Sequence, residues 1–144
     1  KTKQKETLMS DWHKELPVLR VRFARQSDKL TQLKHFYCEG LGLQILSEFK
    51  AHDGYDGLIL GLPDHSYQLE FVQHEEGSDG TSINEENLLV FYIGDADAVQ
   101  AMADKLIGIG YQQVSSENPW WDKHGAITIE DPDKWRVVLQ PIKE

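Results

Sequence analysis

Residues 18–43 read VLRVRFARQSDKLTQLKHFYCEGLGL, and this stretch contains the unit from which the rest of the fold is predicted. Val18–Arg25 alternates apolar and polar side chains, which indicates a half-buried strand. Ser27 and Asp28 are typical of a helix N-cap, and Gly40 and Gly42 favour a helix end. Between them, apolar residues recur at the spacing of a helix: Leu30, Leu33, Phe36, Tyr37 and Leu41. We therefore predict a strand followed by an amphipathic helix.

The same order of elements recurs further along the chain. Three strands are predicted after the first helix: Leu43–Phe49, Gly57–Leu62 and Tyr67–His74. The polar residues 75–86 are typical of a linker. After it we predict a strand, a helix capped by Asp95 and ended by Gly108, and three more strands. These four strands are Leu88–Ile93, Tyr111–Val114, Gly125–Ile129 and Trp135–Gln140.

Each half of the chain thus reads strand, helix, strand, strand, strand. We predict an α+β fold of two βαβββ modules that form a cupped mixed sheet around a cavity. Neither half of roughly 60 residues can bury much core alone, so the two should pack together. The predicted divisions are a flexible N-terminal arm (1–15), a first module (16–75), a linker (76–86) and a second module (87–144), with 16–142 as one domain.

Charge and composition exclude several classes of partner. The chain of 144 residues has 15 Lys and Arg against 24 Asp and Glu, a formal net charge of −9, which disfavours nucleic acid and anionic lipid. A neutral or cationic small ligand matches better.

The longest apolar runs, such as residues 88–93, are too short to span a bilayer, and no secretory signal is visible. The single cysteine, Cys38, excludes an intrachain disulfide, so we expect a cytoplasmic protein.

Three stretches carry a resemblance to a known superfamily. They are Phe36-Tyr37-Cys38-Glu39-Gly40-Leu41-Gly42-Leu43, then Leu69-Glu70-Phe71, and finally Asp131-Pro132-Asp133 followed by Arg136-Val137-Val138-Leu139. In this order and spacing they resemble the vicinal oxygen chelate superfamily, which contains glyoxalase I, extradiol dioxygenases, fosfomycin resistance enzymes and bleomycin resistance proteins. Residues 52–57, 67–71 and 118–122 further resemble its YycE-like subgroup. The resemblance covers nearly the whole chain from Val18 onward.

The resemblance also implies where a metal would bind. Metal-dependent members place one ligand on each of four strands, and those positions fall here on Arg22, Glu70, Leu88 and Val138. Among the four, Glu70 alone has a side chain suited to a divalent ion, because a guanidinium is not deprotonated and Leu and Val have no donor atoms. The resemblance therefore implies a protein without a bound metal or other cofactor.

Arg22 and Glu70 are the candidate catalytic residues and also candidate ligand contacts. Strand alternation predicts that both point toward the same cavity, where they form a buried ion pair in place of a metal. Such a pair either anchors a ligand or balances two buried charges, and the sequence leaves both interpretations open.

Further ligand-binding candidates are His52, Tyr55, Tyr92, Asn118, Trp120 and Trp121. Each also has a structural interpretation, as a turn residue, a core tyrosine or a packed indole. Adjacent tryptophans in a strand or loop point opposite ways, so one of the two is expected to face the cavity. His74 shares the face of Glu70 but is interpreted as a solvated strand end, and Cys38, one turn after His35, is expected on the outside of the sheet without a catalytic role.

Two functions follow from the resemblance. One is a metal-independent lyase or isomerase, with Glu70 as base and Arg22 stabilising an enolate or carboxylate. The alternative is a small-molecule sequestering protein like the bleomycin resistance proteins, without catalysis. Because drug-binding members place their site between two chains, the resemblance also allows a homodimer.

Overall fold

The computed structural model describes residues 17–62, 66–79 and 83–142. The first module contains β1 (Val21–Gln26), α1 (Leu30–Lys34) with a π-helical continuation (His35–Gly40), β2 (Gln44–His52), β3 (Tyr55–Gly61) and β4 (Tyr67–His74). The second contains β5 (Leu88–Ile93), α2 (Ala96–Gly108), β6 (Gln112–Val114), α3 (Pro119–Lys123), β7 (Ile127–Glu130) and β8 (Arg136–Pro141). The repeated βαβββ order is confirmed, with α3 as an addition. The predicted arm at 1–15 lies outside the described residues.

Each module forms one four-stranded mixed sheet. The strand orders are β1-β4-β3-β2 and β5-β8-β7-β6. The pairs β1–β4 and β5–β8 are parallel, and all other neighbouring strands are antiparallel. The α+β class with two modules is therefore confirmed. Among the described residues the two sheets share no strand pair, so they remain separate sheets.

The helix-covered faces of both sheets meet in one shared core. Its members, all at most 4% exposed, include Leu33, Phe36, Leu58, Leu60, Leu69 and Phe71 from the first module and Val99, Ala103, Leu106, Ile129, Val137 and Leu139 from the second. The helices approach closely, since a Cβ added at Gly40 would lie 2.5 Å from Leu106 Cδ2. Side chains alternate along a strand, so the residues between these core positions lie on the opposite face, which we call the outer face of each sheet. In the described ranges no helix is both long and apolar enough to cross a bilayer.

A buried charged cluster joins the two modules. The Arg25 guanidinium on β1 donates to the carboxylates of Asp131 and, at 2.9 Å, Asp133, which lie in the turn between β7 and β8. The Tyr37 hydroxyl also donates to Asp131, at 2.8 Å. The side chains of Arg25, Asp131 and Asp133 are 8%, 0% and 4% exposed. We call these four residues the junction cluster.

The start of α1 differs from the sequence prediction. The predicted side-chain cap does not form, because Ser27 Oγ accepts the nearby Lys29 N–H and Asp28 accepts the Ser78 N–H at 2.5 Å, beyond the end of β4. Asp28 therefore holds a long-range contact in place of a helix cap.

Candidate functional site

Arg22 and Glu70 lie together on the outer face of the first sheet. In the parallel β1–β4 pair Arg22 is opposite Gln68, so Glu70 follows two residues later on the same face. Arg22 Nη1 is 3.5 Å from Glu70 Oε1, whereas Arg22 Nε and Nη2 donate to Gln68 Oε1 at 3.0 and 2.8 Å. Gln68 is therefore the closer partner, which the sequence prediction missed although Gln68 shares the face of Glu70.

The Arg22–Glu70 pair forms, but it is not buried as predicted. The side chains of Arg22 and Glu70 are 34% and 20% exposed. A guanidinium has five N–H donors, and these contacts use three of them. Arg22 thus presents an oriented, partly solvated cation whose remaining donors are available to a ligand.

His52 and Tyr55 lie at the tip of the hairpin between β2 and β3. The His52 side chain is 75% exposed, with its Nε2 3.8 Å from the Asp53 carboxylate. Tyr55 is opposite His74, and their ring centroids are 4.9 Å apart. Since Glu70 lies four residues before His74 on β4, Tyr55 stands about 13 Å along the sheet from Glu70, on the same face. Tyr55 shares the face of Arg22 and Glu70 but is too far from them for contact.

His74 and Cys38 have structural environments. His74 Nδ1 accepts the Glu76 N–H at 3.0 Å, so this nitrogen helps to form the turn after β4. Burial raises the pKa of the Cys38 thiol, which disfavours the nucleophilic thiolate. The imidazole of His35 hydrogen-bonds the Tyr111 hydroxyl, and so has its own partner.

Tyr92 lies on the outer face of the second sheet, close to an aromatic stack. Tyr92 is 63% exposed and is paired with Gln140 on β8. Gln140 Nε2 donates to the His124 carbonyl at 3.1 Å, and the His124 ring stacks on Trp120 with a centroid separation of 4.0 Å. His124 therefore stacks on the predicted residue Trp120 and is linked to Tyr92 through Gln140, and no local sequence pattern indicated it.

Asn118, Trp120 and Trp121 belong to α3, where the sequence predicted a strand or loop. Asn118 Oδ1 accepts the Trp120 N–H at 3.0 Å and so caps the helix, with Pro119 in its first turn. The two indoles do not point to opposite faces of a strand. They lie edge to face with centroids 5.2 Å apart, and Trp120 is 47% exposed.

Three buried polar side-chain atoms of the second sheet have no hydrogen-bond partner among the described residues. They are Arg136 Nε and Gln140 Oε1 on β8 and Thr128 Oγ1 on β7; Gln140 and Thr128 are 3% and 0% exposed. Thr128 is opposite Val138, which places it on the same outer face as Gln140. A ligand or water group that reaches this face would find unsatisfied polar partners.

The predicted residues thus fall into two groups on different sheets. Arg22, Glu70 and Tyr55 lie on the first sheet, whereas Tyr92 is on the second, near Trp120 of α3. Within the part of the chain that the structure describes, no three His, Cys, Asp or Glu side chains cluster in a way that could hold a metal ion.

Comparison with known proteins identifies the family. The YycE-like N-terminal domain profile matches residues 21–72, and the YycE-like C-terminal domain profile matches residues 86–141. The chain is 46% identical over 123 residues to the uncharacterized protein YycE of Bacillus subtilis (strain 168), covering 85% of this chain and 88% of the relative.

Solved structures agree with this assignment. A crystal structure of a YycE protein of unknown function from Bacillus subtilis matches with a TM-score of 0.84 at 44% identity, covering 88% of this chain and 92% of that one. TnmS3, an antibiotic binding protein from Streptomyces sp. CB03234, shares the fold with a TM-score of 0.62 at 20% identity, covering 86% and 95% of the two chains. The repeated βαβββ modules, both family profiles and the identity to YycE together show that this chain belongs to the YycE-like family of the vicinal oxygen chelate superfamily.

Proposed function

We propose that this protein binds a small molecule through the outer faces of its two sheets, and that it does so without a metal. The observation that carries the proposal is the Arg22 guanidinium, which Gln68 and Glu70 hold in one orientation while it stays 34% exposed. A preoriented donor on an accessible face costs little further ordering when a ligand arrives.

The residues around Glu70 do not suit a divalent cation. The Glu70 carboxylate already faces a guanidinium nitrogen 3.5 Å away, whose positive charge would repel a metal ion. The other positions that the family uses for ligands are Leu88 and Val138, which have no donor atoms. The Arg22–Glu70 site is therefore proposed to act without a metal.

The nature of the ligand follows from charge and from the second sheet. A net charge of −9 disfavours an anion, the Arg22 donors favour a neutral oxygen acceptor over a cation, and the exposed rings of Tyr92 and Trp120 favour a flat molecule. TnmS3, an antibiotic binding protein, has the same fold and is a precedent for binding. At 20% identity the comparison extends to the fold alone.

Because the helix-covered faces share one core, the outer faces look away from each other. We propose that a second copy of the chain encloses the ligand.

A second candidate, a metal-independent lyase or isomerase, is favoured by one contact. A carboxylate that could accept a proton lies beside a guanidinium that could stabilise the resulting oxyanion. Binding and turnover are distinguished by recovering the ligand after incubation and measuring its mass and connectivity.

The test of binding is a thermal-shift screen of neutral aromatic compounds that carry an oxygen acceptor, followed by calorimetry on those that raise the unfolding midpoint. We expect Arg22→Met to weaken binding at least about tenfold through loss of a charge-assisted hydrogen bond. Lys34→Met, which removes an exposed cation on α1, is the matched control and should leave affinity unchanged. Equal affinity of the wild type and Arg22→Met for every compound would rule out the proposed anchor.

The metal-free part of the proposal has its own test. The unfolding midpoint should be the same with Ni²⁺, Zn²⁺, Mn²⁺ or EDTA, because an ion bound to the native state would raise it. An increase of several degrees with one ion that Glu70→Ala abolishes would overturn it.

A further inference from the structure

A cleft of about 410 Å³ opens where the two modules meet, between the edge strands β1 and β5. Its apolar walls come from both sheets: Phe23, Leu69 and Phe71 from the first, and Leu88, Leu89 and Trp135 from the second. Arg25 and Tyr37 of the junction cluster also line it. The volume lies in the range of small-molecule sites. None of the predicted ligand-binding residues on the outer faces lines this cleft.

The aromatic side chains of the cleft are held in place. The Arg25 guanidinium lies 4.8 Å from the Phe71 ring centroid and 4.9 Å from that of Trp135, so the junction cluster fixes both rings. Phe23 meets Trp135 edge to face at 6.4 Å, yet it remains 55% exposed. A half-exposed phenylalanine beside a fixed indole provides apolar area that a flat molecule can bury.

Charge at the cleft excludes anions. Arg25 is matched by two carboxylates of the junction cluster, and Arg136 Nη2 lies 3.6 Å from Glu130 and 4.0 Å from Glu85. Glu86 adds a further carboxylate to the lining. Each cation is therefore outnumbered by acidic groups, and the local field is negative.

One polar atom of the lining residues remains unsatisfied. Arg136 has a side chain that is 10% exposed, and its Nε is buried without a hydrogen-bond partner in the described ranges. An unpaired buried donor is costly unless a bound group or water accepts from it. A ligand with a neutral oxygen acceptor that reaches this nitrogen would satisfy it without introducing a negative charge.

We infer that this cleft is a second ligand site, distinct from the proposed outer-face site, and that it accepts a flat aromatic molecule that is neutral or singly positive. The inference is independent of the proposed function, because it uses none of Arg22, Glu70, Tyr92 and Trp120. A ligand seated here contacts both modules and bridges them.

The test uses three probes of similar ring size and different charge: 2-naphthol, 1-methylquinolinium and 2-naphthoate. Each is titrated into the full chain, with tryptophan fluorescence for affinity and amide chemical shifts for location. We expect the neutral and cationic probes to shift the amides of Phe23, Leu89 and Trp135. We expect naphthoate to bind at least about tenfold more weakly, because it carries a negative charge into an acidic site.

Phe23→Ala should weaken binding of the two favoured probes about fivefold, since one aromatic contact is lost. Tyr67→Ala is the matched control, because Tyr67 is an equally exposed aromatic residue, 55%, outside the cleft lining. Both changes remove half-exposed rings, so folding is expected to survive, and the fluorescence midpoint of unfolding verifies this.

Three outcomes would overturn the inference: no binding of any probe, equal effects of Phe23→Ala and Tyr67→Ala, or shifts confined to residues of the outer faces such as Arg22 and Tyr92. The last outcome would leave the proposed function standing while removing the second site, so the two proposals fail separately.

Discussion

At the scale of single residues, Gln68 changes the environment that the sequence predicted for Arg22. Strand alternation correctly placed Arg22 and Glu70 on one face, but it carried no information about how deeply that face is covered. Burial depends on what packs above a sheet, and on the first outer face the pair stays 34% and 20% exposed. Gln68 then supplies the closer contacts, at 2.8 and 3.0 Å.

The energetic consequence is a weak coupling between Arg22 and Glu70. A partly solvated pair at 3.5 Å should show a coupling free energy below about 1 kcal/mol in a double-mutant cycle of Arg22→Met and Glu70→Gln. Urea unfolding of the four proteins measures it. A coupling of 2 kcal/mol or more would mean that the pair is desolvated in solution, as in a buried ion pair.

Lys134 provides a second test at this scale. Lys134 lies in the turn between β7 and β8, and its backbone is left-handed, with φ of +71°. Lys134→Gly should raise the free energy of unfolding by up to about 1 kcal/mol, reduced by the greater freedom of glycine in the unfolded chain. A clear loss of stability in urea unfolding would contradict this. It would show that the Lys134 side chain contributes more than the backbone strain costs.

At the scale of elements, periodicity predicted the repeated strands and both long helices, because apolar spacing reports local structure directly. It missed α3, since five residues around two tryptophans are too short to show a helical period. It also missed the π-helical continuation of α1, where Leu41 N donates to Phe36 O at 3.0 Å. Such single-turn π segments occur inside α-helices, so the apolar spacing of an α-helix does not indicate them.

The predicted cap of α2 is confirmed and can be measured. Asp95 Oδ1 accepts the Ala98 N–H at 2.8 Å, so Asp95→Ala should lower the free energy of unfolding by about 1 kcal/mol. Asp97→Ala is the matched control, because Asp97 lies in the same first turn and carries the same charge without the capping role. It should cost only about 0.3 kcal/mol through the helix dipole. Equal losses for the two variants would mean that charge, and not the cap, provides the stabilisation.

At the scale of the whole molecule, the junction cluster is the feature that the sequence concealed most fully. Arg25 was visible only as the last residue of a predicted strand, and Asp131 and Asp133 only as part of a motif that carries the resemblance. Arg25 and Asp131 are 106 positions apart, and their contact exists only because the two modules pack through their helix-covered faces. A pattern of local residues can predict the modules, but the residues that fasten one module to the other depend on the final packing.

This cluster makes the strongest prediction for stability. Burial raises the pKa of Asp131, while the charge of Arg25 and the hydrogen bond from Tyr37 act in the opposite direction. Because the folded pKa is raised, Asp131 contributes most to stability at low pH and loses that contribution as pH rises above about 4. Arg25→Met removes the positive charge that lowers the pKa of Asp131. It leaves the buried carboxylates of Asp131 and Asp133 without a cation. The free energy of unfolding at pH 7 should therefore fall by about 3–5 kcal/mol.

The loss in Arg25→Met should shrink on acidification, because the stranded carboxylates bind protons in the folded variant at pH values where the same groups of the unfolded chain are still ionised. Urea unfolding of the wild type and the variant from pH 4.5 to 7.5 tests this. Lys34→Met serves as control, since the Lys34–Glu48 pair is 41% and 49% exposed and its removal should cost less than about 1 kcal/mol at any pH. A loss that is independent of pH would show that Arg25 acts through its stacking on Phe71 and Trp135, and that the carboxylates of the junction are not the groups it stabilises.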